Sequence, residues 1–319
     1  MAAEYRKQVT AQQADLPAPV VRPQHGTSRQ VSPGEGRQTW IHGTHSWIKA
    51  SLPEESPCLL TGVCFIGDNL IVCDNENKTI KRFHIDGKFL EEVFLTDPCG
   101  ICNLPNSHDV AITEPEITQI TVCSLDDAIS ITFSLKTEKK YQCISALDDK
   151  YVVSCCDIAD PCVDFLDSNG TIIKSIKSKN ENSKLFKNPA SVTCLSSEKI
   201  LISDPGSCAL ICASLGGEVR FKLETQGRPS GVSVDSTGAI FLAHYDQNTV
   251  YRLSTRGAVE NVVVDQRYKL KSPLAMSVSN GLMAITEETP SDRILLVKLT
   301  EVLEKQSTCI SLSNLQFTT

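Results

Sequence analysis

A unit of four short apolar segments occurs six times in this 319-residue chain. The first copy, residues 61–95, contains GVCFI, NLIVCD, TIKRFHI and FLEEVFL, and the fifth copy, residues 230–265, repeats the same order. Gly, Asn, Asp, Ser or Pro separates the segments, which is typical of β-strands joined by turns. Because self-similarity at this period indicates a repeat architecture, we predict six antiparallel, four-stranded sheets. The chain is therefore expected to be an all-β protein, a six-bladed β-propeller.

Two kinds of position keep the six units in register. The second strand of each unit ends on a polar residue, at spacings of 40, 43, 47, 40 and 43 residues: Asp74, Glu114, Asp157, Asp204, His244 and Glu287. The turn between the third and fourth strands carries glycine, as at Gly87 and Gly170, because a hairpin with positive φ favours it. We interpret the polar residues as a structural turn ring, whose carboxylates accept hydrogen bonds from N–H groups of the following turn.

The ends of the chain differ from the repeats. Residues 1–38 are polar, contain proline and lack apolar periodicity, so we predict a flexible tail over 1–38 and the propeller over 39–319. The last unit needs an outer strand from elsewhere. The candidates are SWIKASL, residues 46–52, and TCISLSNLQF, residues 308–317. We favour the N-terminal candidate, because propellers commonly close by joining their two ends.

Two units carry a resemblance to a known family. The segments GVCFIGDNLIVCDNENKTIKRF and GVSVDSTGAIFLAHYDQNTVYRL resemble the NHL repeat, and the other four units match through their spacing, over residues 57 to 300. Many NHL propellers form the C-terminal part of tripartite-motif (TRIM) ubiquitin ligases. The resemblance implies recognition of a protein substrate or of RNA for such an enzyme. This sequence has no RING or B-box arrangement of cysteine and histidine, so we expect any ligase chemistry to lie on a fused or recruited module.

Residues that could carry chemistry have simpler structural explanations. The fourteen cysteines are spread through apolar segments, which predicts reduced, buried thiols, and the pair Cys99 and Cys102 has no second pair at zinc-site distance. We find no phosphate-binding loop and no G-x-S-x-G turn. The sequence thus predicts a protein that is not an enzyme, without catalytic, metal or cofactor sites. A metal-dependent propeller enzyme is a distant alternative.

Length and charge limit the environment and the partners. No apolar stretch reaches the roughly 20 residues that a membrane span needs, and the first residues do not resemble a secretory signal. We therefore expect a cytoplasmic protein with no membrane partner. The net charge is −7, which by itself disfavours nucleic acid.

The predicted connections between units are nevertheless basic. Segments 136–140, 177–187, 224–229 and 265–271 together carry eleven positive and four negative residues. We predict that they contribute to a partner-binding face, with the residues Lys179, Lys184, Lys187, Arg228, Arg267, Tyr268, Lys269 and Lys271. Tyr141, Phe186 and Tyr268 lie in or beside these segments as candidate stacking platforms. The leading hypothesis is a module that binds a protein partner, such as a ubiquitin-ligase substrate. The alternative is an RNA-binding propeller.

Overall fold

The computed structural model describes residues 38–177, 185–288 and 291–303, with side chains described from residue 44 to residue 300. Within these residues, twenty-four strands form six four-stranded antiparallel sheets. Two 3₁₀ helices of three residues each, Pro115–Ile117 and Gln266–Tyr268, are the helical segments of this part of the chain. The predicted all-β, six-bladed propeller is confirmed.

The first five blades take their strands in chain order. Blades one and two contain β2 (Leu60–Ile66), β3 (Asn69–Asp74), β4 (Thr79–His84), β5 (Phe89–Phe94), β6 (Ile101–Asn103), β7 (Asp109–Glu114), β8 (Gln119–Ser124) and β9 (Ser130–Lys136). Blades three and four contain β10 (Cys143–Leu147), β11 (Lys150–Cys155), β12 (Cys162–Leu166), β13 (Ile172–Lys177), β14 (Ser191–Ser196), β15 (Lys199–Asp204), β16 (Ala209–Ser214) and β17 (Val219–Glu224). Blade five contains β18 (Pro229–Val234), β19 (Ile240–His244), β20 (Thr249–Leu253) and β21 (Val259–Val264).

The sixth blade combines both ends of the described chain. It contains β22 (Pro273–Ser279), β23 (Leu282–Glu287) and β24 (Arg293–Leu303), and its outer strand is β1 (Gln38–Lys49). Strand β1 runs antiparallel to β24, with Trp47 opposite Leu295. The N-terminal closing strand is thus confirmed, although it begins at Gln38 and ends at Lys49 rather than covering 46–52. The other candidate, 308–317, and most of the predicted tail lie outside the described residues.

The core lies between blades rather than within one layer. Six clusters of buried apolar side chains each combine residues from two neighbouring blades, as where Val72 of blade one packs with Ile294 of blade six. A strand covered on both faces reads as a continuous apolar run instead of an alternating one. This explains segments such as LIVC in β3 and ILIS in β15, where every one of these residues is buried.

The first strands of the blades surround a central channel. Gly231 lies near the start of β18, as its place in the repeat predicts. A Cβ at Gly231 would lie 2.8 Å from the Met276 nitrogen of the next blade. These close approaches explain why glycine begins several units.

No helix in the described part of the chain is long and apolar enough to cross a membrane.

Candidate functional site

One face of the ring carries the connections between blades. Because adjacent strands are antiparallel, these connections and the turns between second and third strands lie on the same side. We call this side the connection face. Its connections are residues 50–59, 95–100, 137–142, 185–190, 225–228 and 265–272, and its turns are 75–78, 115–118, 156–161, 205–208, 245–248, 288 and 291–292.

Four members of the predicted turn ring hold the connections in place. Each carboxylate is buried at the end of a second strand and accepts a hydrogen bond from a backbone N–H in the connection preceding its own blade. The pairs are Asp74 with Leu59 (3.1 Å), Glu114 with Thr96 (2.8 Å), Asp204 with Lys187 (2.8 Å) and Glu287 with Lys271 (2.7 Å). The sequence did not reveal this role, because the turn that follows each strand is the nearer source of N–H donors in the chain.

Hydrogen bonds from the following turn are also present at some ring positions. Asp204 accepts them from the N–H groups of Gly206 at 3.1 Å and Ser207 at 3.3 Å. Asp157 is exposed and accepts one from Ala159 at 2.9 Å. His244 differs, because its ring is buried and neither nitrogen has a hydrogen-bond partner among the described residues. Burial lowers the pKa of His244, so the ring is neutral.

A buried lysine completes the ring position of blade one. Lys81 is fully buried, and its Nζ lies 2.8 Å from Asp74 Oδ2, 2.7 Å from Glu55 Oε2 and 3.2 Å from the Ala50 carbonyl oxygen. Burial disfavours both charged forms. Hydrogen bonding outweighs this effect, so that the pKa of Lys81 is raised and that of Asp74 is lowered. The ion pair fastens the segment after the closing strand to blade one.

The same cluster has the composition of a metal site. Ligand atoms of Glu55, Cys58 and Asp74 lie within 4.8 Å of one another. However, the Lys81 ammonium already lies between the two carboxylates. Burial, followed by the charge of Asp74, raises the pKa of the Cys58 thiol to about 12, which keeps it protonated and makes it a poor ligand. The geometry favours an ion pair over a bound metal.

Two of the predicted partner-binding arginines are paired on the connection face. Arg228 Nη2 lies 2.5 Å from Asp246 Oδ1, and the guanidinium lies 4.2 Å from the centre of the Tyr245 ring. Arg267 Nη2 lies 2.8 Å from Asp265 Oδ2. Their positive charges are therefore partly neutralised within the protein.

The predicted lysines have different environments. Lys187, Lys269 and Lys271 are exposed, and within the described residues no salt bridge involves their side chains. Lys179 and Lys184 lie outside the described residues. The exposed cations sit at the connections on either side of blades four and five, with Arg228 between them.

The three aromatic rings that were expected to be stacking platforms are buried, which corrects that expectation. Tyr141 is buried and donates a hydrogen bond to Asp164 Oδ2 at 2.7 Å, and Phe186 is fully buried. Tyr268 is also buried, with its ring 4.8 Å from that of His45 in the closing strand. The prediction that a ligand stacks on these three rings is wrong. Aromatic side chains of the connections fill the ends of the interfaces between blades.

The positive excess on the connections is also reduced by carboxylates of a neighbouring strand and turn. Lys139 Nζ lies 2.7 Å from Asp164 Oδ2 of β12, and Lys177 Nζ lies 2.5 Å from Asp160 Oδ2 of the turn in blade three. The charge of the connections alone therefore overstates the positive charge of this face, because the fold brings carboxylates beside them.

The central channel offers a second concave site. A cavity of about 310 Å³ is lined by first strands from all six blades. The residues that line it include Asp97, Cys99, Cys143, Ser191 and Glu288. Burial raises the pKa of Cys99 to about 12, so this thiol is neutral and unreactive as a nucleophile.

Comparison with known proteins adds a relative and a fold. No protein-family model matches the chain. The mouse E3 ubiquitin-protein ligase TRIM56 is 22% identical over 243 residues, which are 71% of this chain and 32% of that protein. The chain is similar to a tripartite-motif protein. It spans about a third of that relative's length, and the similarity agrees with the resemblance of its repeats.

Solved propellers share the architecture at low identity. A catalytically inactive variant of virginiamycin B lyase from Staphylococcus aureus has a TM-score of 0.58 and 15% identity, covering 83% of this chain and all of that one. The WD40 β-propeller domain of Doa1 has a TM-score of 0.56 and 10% identity, covering 80% and 97%. At these identities the likeness shows the fold alone. Since one neighbour is a lyase, the absence of enzyme activity stays a prediction.

Proposed function

We propose that this propeller recognises a protein partner in the cytoplasm, as the substrate-recognition part of a ubiquitin ligase of the tripartite-motif type. The similarity to TRIM56 supports this assignment, because it extends over most of the ring. The described residues are taken up by the propeller itself, so ubiquitin transfer would be carried out by a fused or recruited module.

The pairing of arginines with carboxylates on the connection face is the observation that carries the proposal. Arg228 is held by Asp246 and Arg267 by Asp265, so the face alternates in sign rather than being uniformly positive. A polyanion such as RNA gains affinity from unpaired cations that replace its counterions. A protein partner instead gains specificity from groups of both signs placed opposite its own.

The predicted site extends over the connections next to blades four, five and six. Lys187, Lys269 and Lys271 supply exposed charges, and Arg228 and Arg267 supply charges already fixed in direction by their carboxylates. Tyr268 contributes indirectly to the predicted site, because its buried ring supports the loop that carries Lys269. In this arrangement the three lysines determine which partner binds, and the paired arginines orient the bound partner.

The test compares two faces of the same ring. The full chain and a triple variant, Lys187→Glu, Lys269→Glu and Lys271→Glu, are used to capture proteins from lysate with and without nuclease. A matched control changes three exposed cations on the opposite face, Lys88→Glu, Lys199→Glu and Arg256→Glu. Binding of each captured protein is then measured with purified components.

We expect to find a protein that, once purified, binds the full chain and the control variant equally well. The same protein should bind the triple variant at least tenfold more weakly. We also expect this binding to persist after nuclease treatment. Equal binding by the triple variant would move the site off the connection face. Loss of all binding after nuclease, with a steep fall of affinity in salt, would favour the RNA-binding alternative.

A further inference from the structure

Two cysteines of blade three face each other across neighbouring strands. Cys155 is the last residue of β11 and Cys162 is the first residue of β12, and they are direct partners in the antiparallel ladder. Side chains of such partners lie on the same face, with Cβ atoms about 4.5–5.5 Å apart. The Cα separation in antiparallel pairs falls within the range of about 4.4–6.8 Å found in disulfides. Among the described strands, no other two cysteines are paired in this way.

A lysine lies beside this pair. Lys139 Nζ is 3.1 Å from Cys162 Sγ and also contacts the buried Asp164 carboxylate. A nearby ammonium stabilises a thiolate, which is the reactive form of cysteine. The pair therefore has an electropositive group within hydrogen-bond distance, despite its position in the core.

Cys155 is the one described cysteine whose pKa is lowered. Its hydrogen bond with Cys162 lowers the pKa of Cys155 and raises that of Cys162, because one sulfur of the pair is stabilised as a thiolate while the other keeps its proton. Burial has the opposite effect elsewhere, and it raises the pKa of Cys64 and Cys123 to about 12. The pair therefore loses its first proton more readily than the other buried thiols do.

We propose that Cys155 and Cys162 are a redox-active pair that forms a cross-strand disulfide on exposure to a hydroperoxide. The thiolate of one cysteine attacks the peroxide, the O–O bond breaks with release of hydroxide or alkoxide, and that cysteine becomes a sulfenic acid. The sulfur of the other cysteine then attacks it, the S–S bond forms and the S–O bond breaks, and the displaced oxygen leaves as water with the proton of the attacking thiol. Two electrons pass from the two sulfurs to the peroxide, and a dithiol reductant reverses the change.

The position of the pair decides which oxidants reach it. Both side chains are buried, but the turn directly above them, residues 156–161, exposes Asp157, Ile158 and Ala159. Because both thiols are buried, we expect a small oxidant such as hydrogen peroxide to react with them faster than a larger disulfide such as oxidised glutathione. The new bond would close a short ring at the connection face and restrict the turn that presents Ile158.

The experiment maps the bond in the unmodified full chain. The protein is treated with hydrogen peroxide, remaining thiols are alkylated, and the protein is digested with trypsin and then with a protease that cleaves before aspartate. Trypsin alone leaves Cys155, Cys156 and Cys162 in one peptide, and cleavage before Asp157 and Asp160 separates them. We expect residues 151–156 linked to residues 160–163, with fragmentation assigning the link to Cys155. The rate of linkage should rise with pH, because the thiolate is the form of cysteine that attacks the peroxide.

Single substitutions test the assigned roles. Cys155→Ser and Cys162→Ser should each abolish the disulfide, and the variant that keeps the attacking cysteine should give a sulfenic acid that dimedone traps, because no resolving thiol remains. Cys156→Ser, the matched neighbour, should keep the disulfide. A peptide with one exposed thiol is added as a control for oxidation. Linkage through Cys156 would overturn the proposal, and so would the absence of any linkage in the protein once the peptide thiol is fully oxidised. The mapping in the unmodified chain decides this even if a variant fails to fold.

Discussion

Lys81 Nζ lies 2.8 Å from Asp74 Oδ2, and both side chains are fully buried. The pair joins the third strand of blade one to its second strand, and through Glu55 it also joins both to the segment that follows the closing strand. A buried ion pair is a weak source of net stability while intact, but removing one partner leaves an uncompensated charge in the core.

We therefore expect Lys81→Met to reduce the free energy of unfolding by about 3–5 kcal/mol. The measurement is equilibrium unfolding in urea, monitored by circular dichroism. As a control, Lys88→Met at an exposed turn position should change it by no more than about 0.5 kcal/mol. A loss below about 1 kcal/mol for Lys81→Met would mean that water reaches and solvates the Asp74 carboxylate in the folded protein.

The same pair predicts a dependence of stability on pH. The folded-state pKa of Asp74 is lowered because hydrogen bonds from Lys81 and Asn77 outweigh burial. A carboxyl group with a lowered pKa contributes stability above its unfolded-state pKa of about 3.9, and this contribution is lost as the pH falls through the folded-state value. We expect the free energy of unfolding to fall as the pH drops below about 5, and to fall less steeply in Asp74→Asn. Identical slopes for the two proteins would contradict the shift.

The sequence predicted the structural turn ring but not the contacts that its members make with other parts of the chain. Asp74, Asp204 and Glu287 could be placed because the spacing of second-strand ends repeats, and because such strands read as continuous apolar runs. Lys81 could not be identified, since in TIKRFH it reads as one of two solvent-facing cations. Its partner Glu55 lies before the first repeat and is brought there only by closure of the ring.

The errors on the connection face have a common cause. Tyr268 and Phe186 were read as exposed because they lie in polar segments, yet their rings fill the ends of the interfaces between blades. Likewise, the positive excess of the connections omitted Asp246 and Asp160, which the turns bring beside them. Both features depend on contacts between segments that are far apart in sequence or belong to different strands, and local composition carries no information on them.

The close approach of inner strands gives a third prediction. A Cβ at Gly100 would lie 2.6 Å from the Gln142 carbonyl oxygen and 2.8 Å from Cys143 Cα, both in the connection and first strand of the next blade. We expect Gly100→Ala to reduce the free energy of unfolding by about 1–3 kcal/mol, because backbone atoms must move apart. Gly216→Ala is the control, since its Cβ would meet only the Ser214 hydroxyl, at 3.3 Å. Urea unfolding of both variants measures the difference, and equal midpoints would show that the blades separate at little cost.

The last prediction concerns closure of the ring by β1. Trp47 stacks under the Arg293 guanidinium at 3.9 Å, and the main chain of Ala50 donates a hydrogen bond to Asp292 at 2.6 Å, so the N-terminal strand is held to the start of β24 by side chain and backbone together. Deleting residues 1–49 removes this strand and leaves β24 with an unpaired edge over apolar side chains. We expect that protein to lose cooperative thermal unfolding or to aggregate, because blade six can no longer cover its interface with blade one.

Deleting only residues 1–37 is the matched control. These residues precede β1, and their polar, proline-bearing composition cannot bury enough apolar surface to offset the entropy of ordering them. We expect this shorter protein to unfold within about 2 °C of the full chain, since a change of 1 kcal/mol would move the midpoint of a domain this size by roughly 2–4 °C. Thermal unfolding of the two truncated proteins therefore separates the tail from the closing strand. A large loss from the 1–37 deletion would place part of the fold before Gln38.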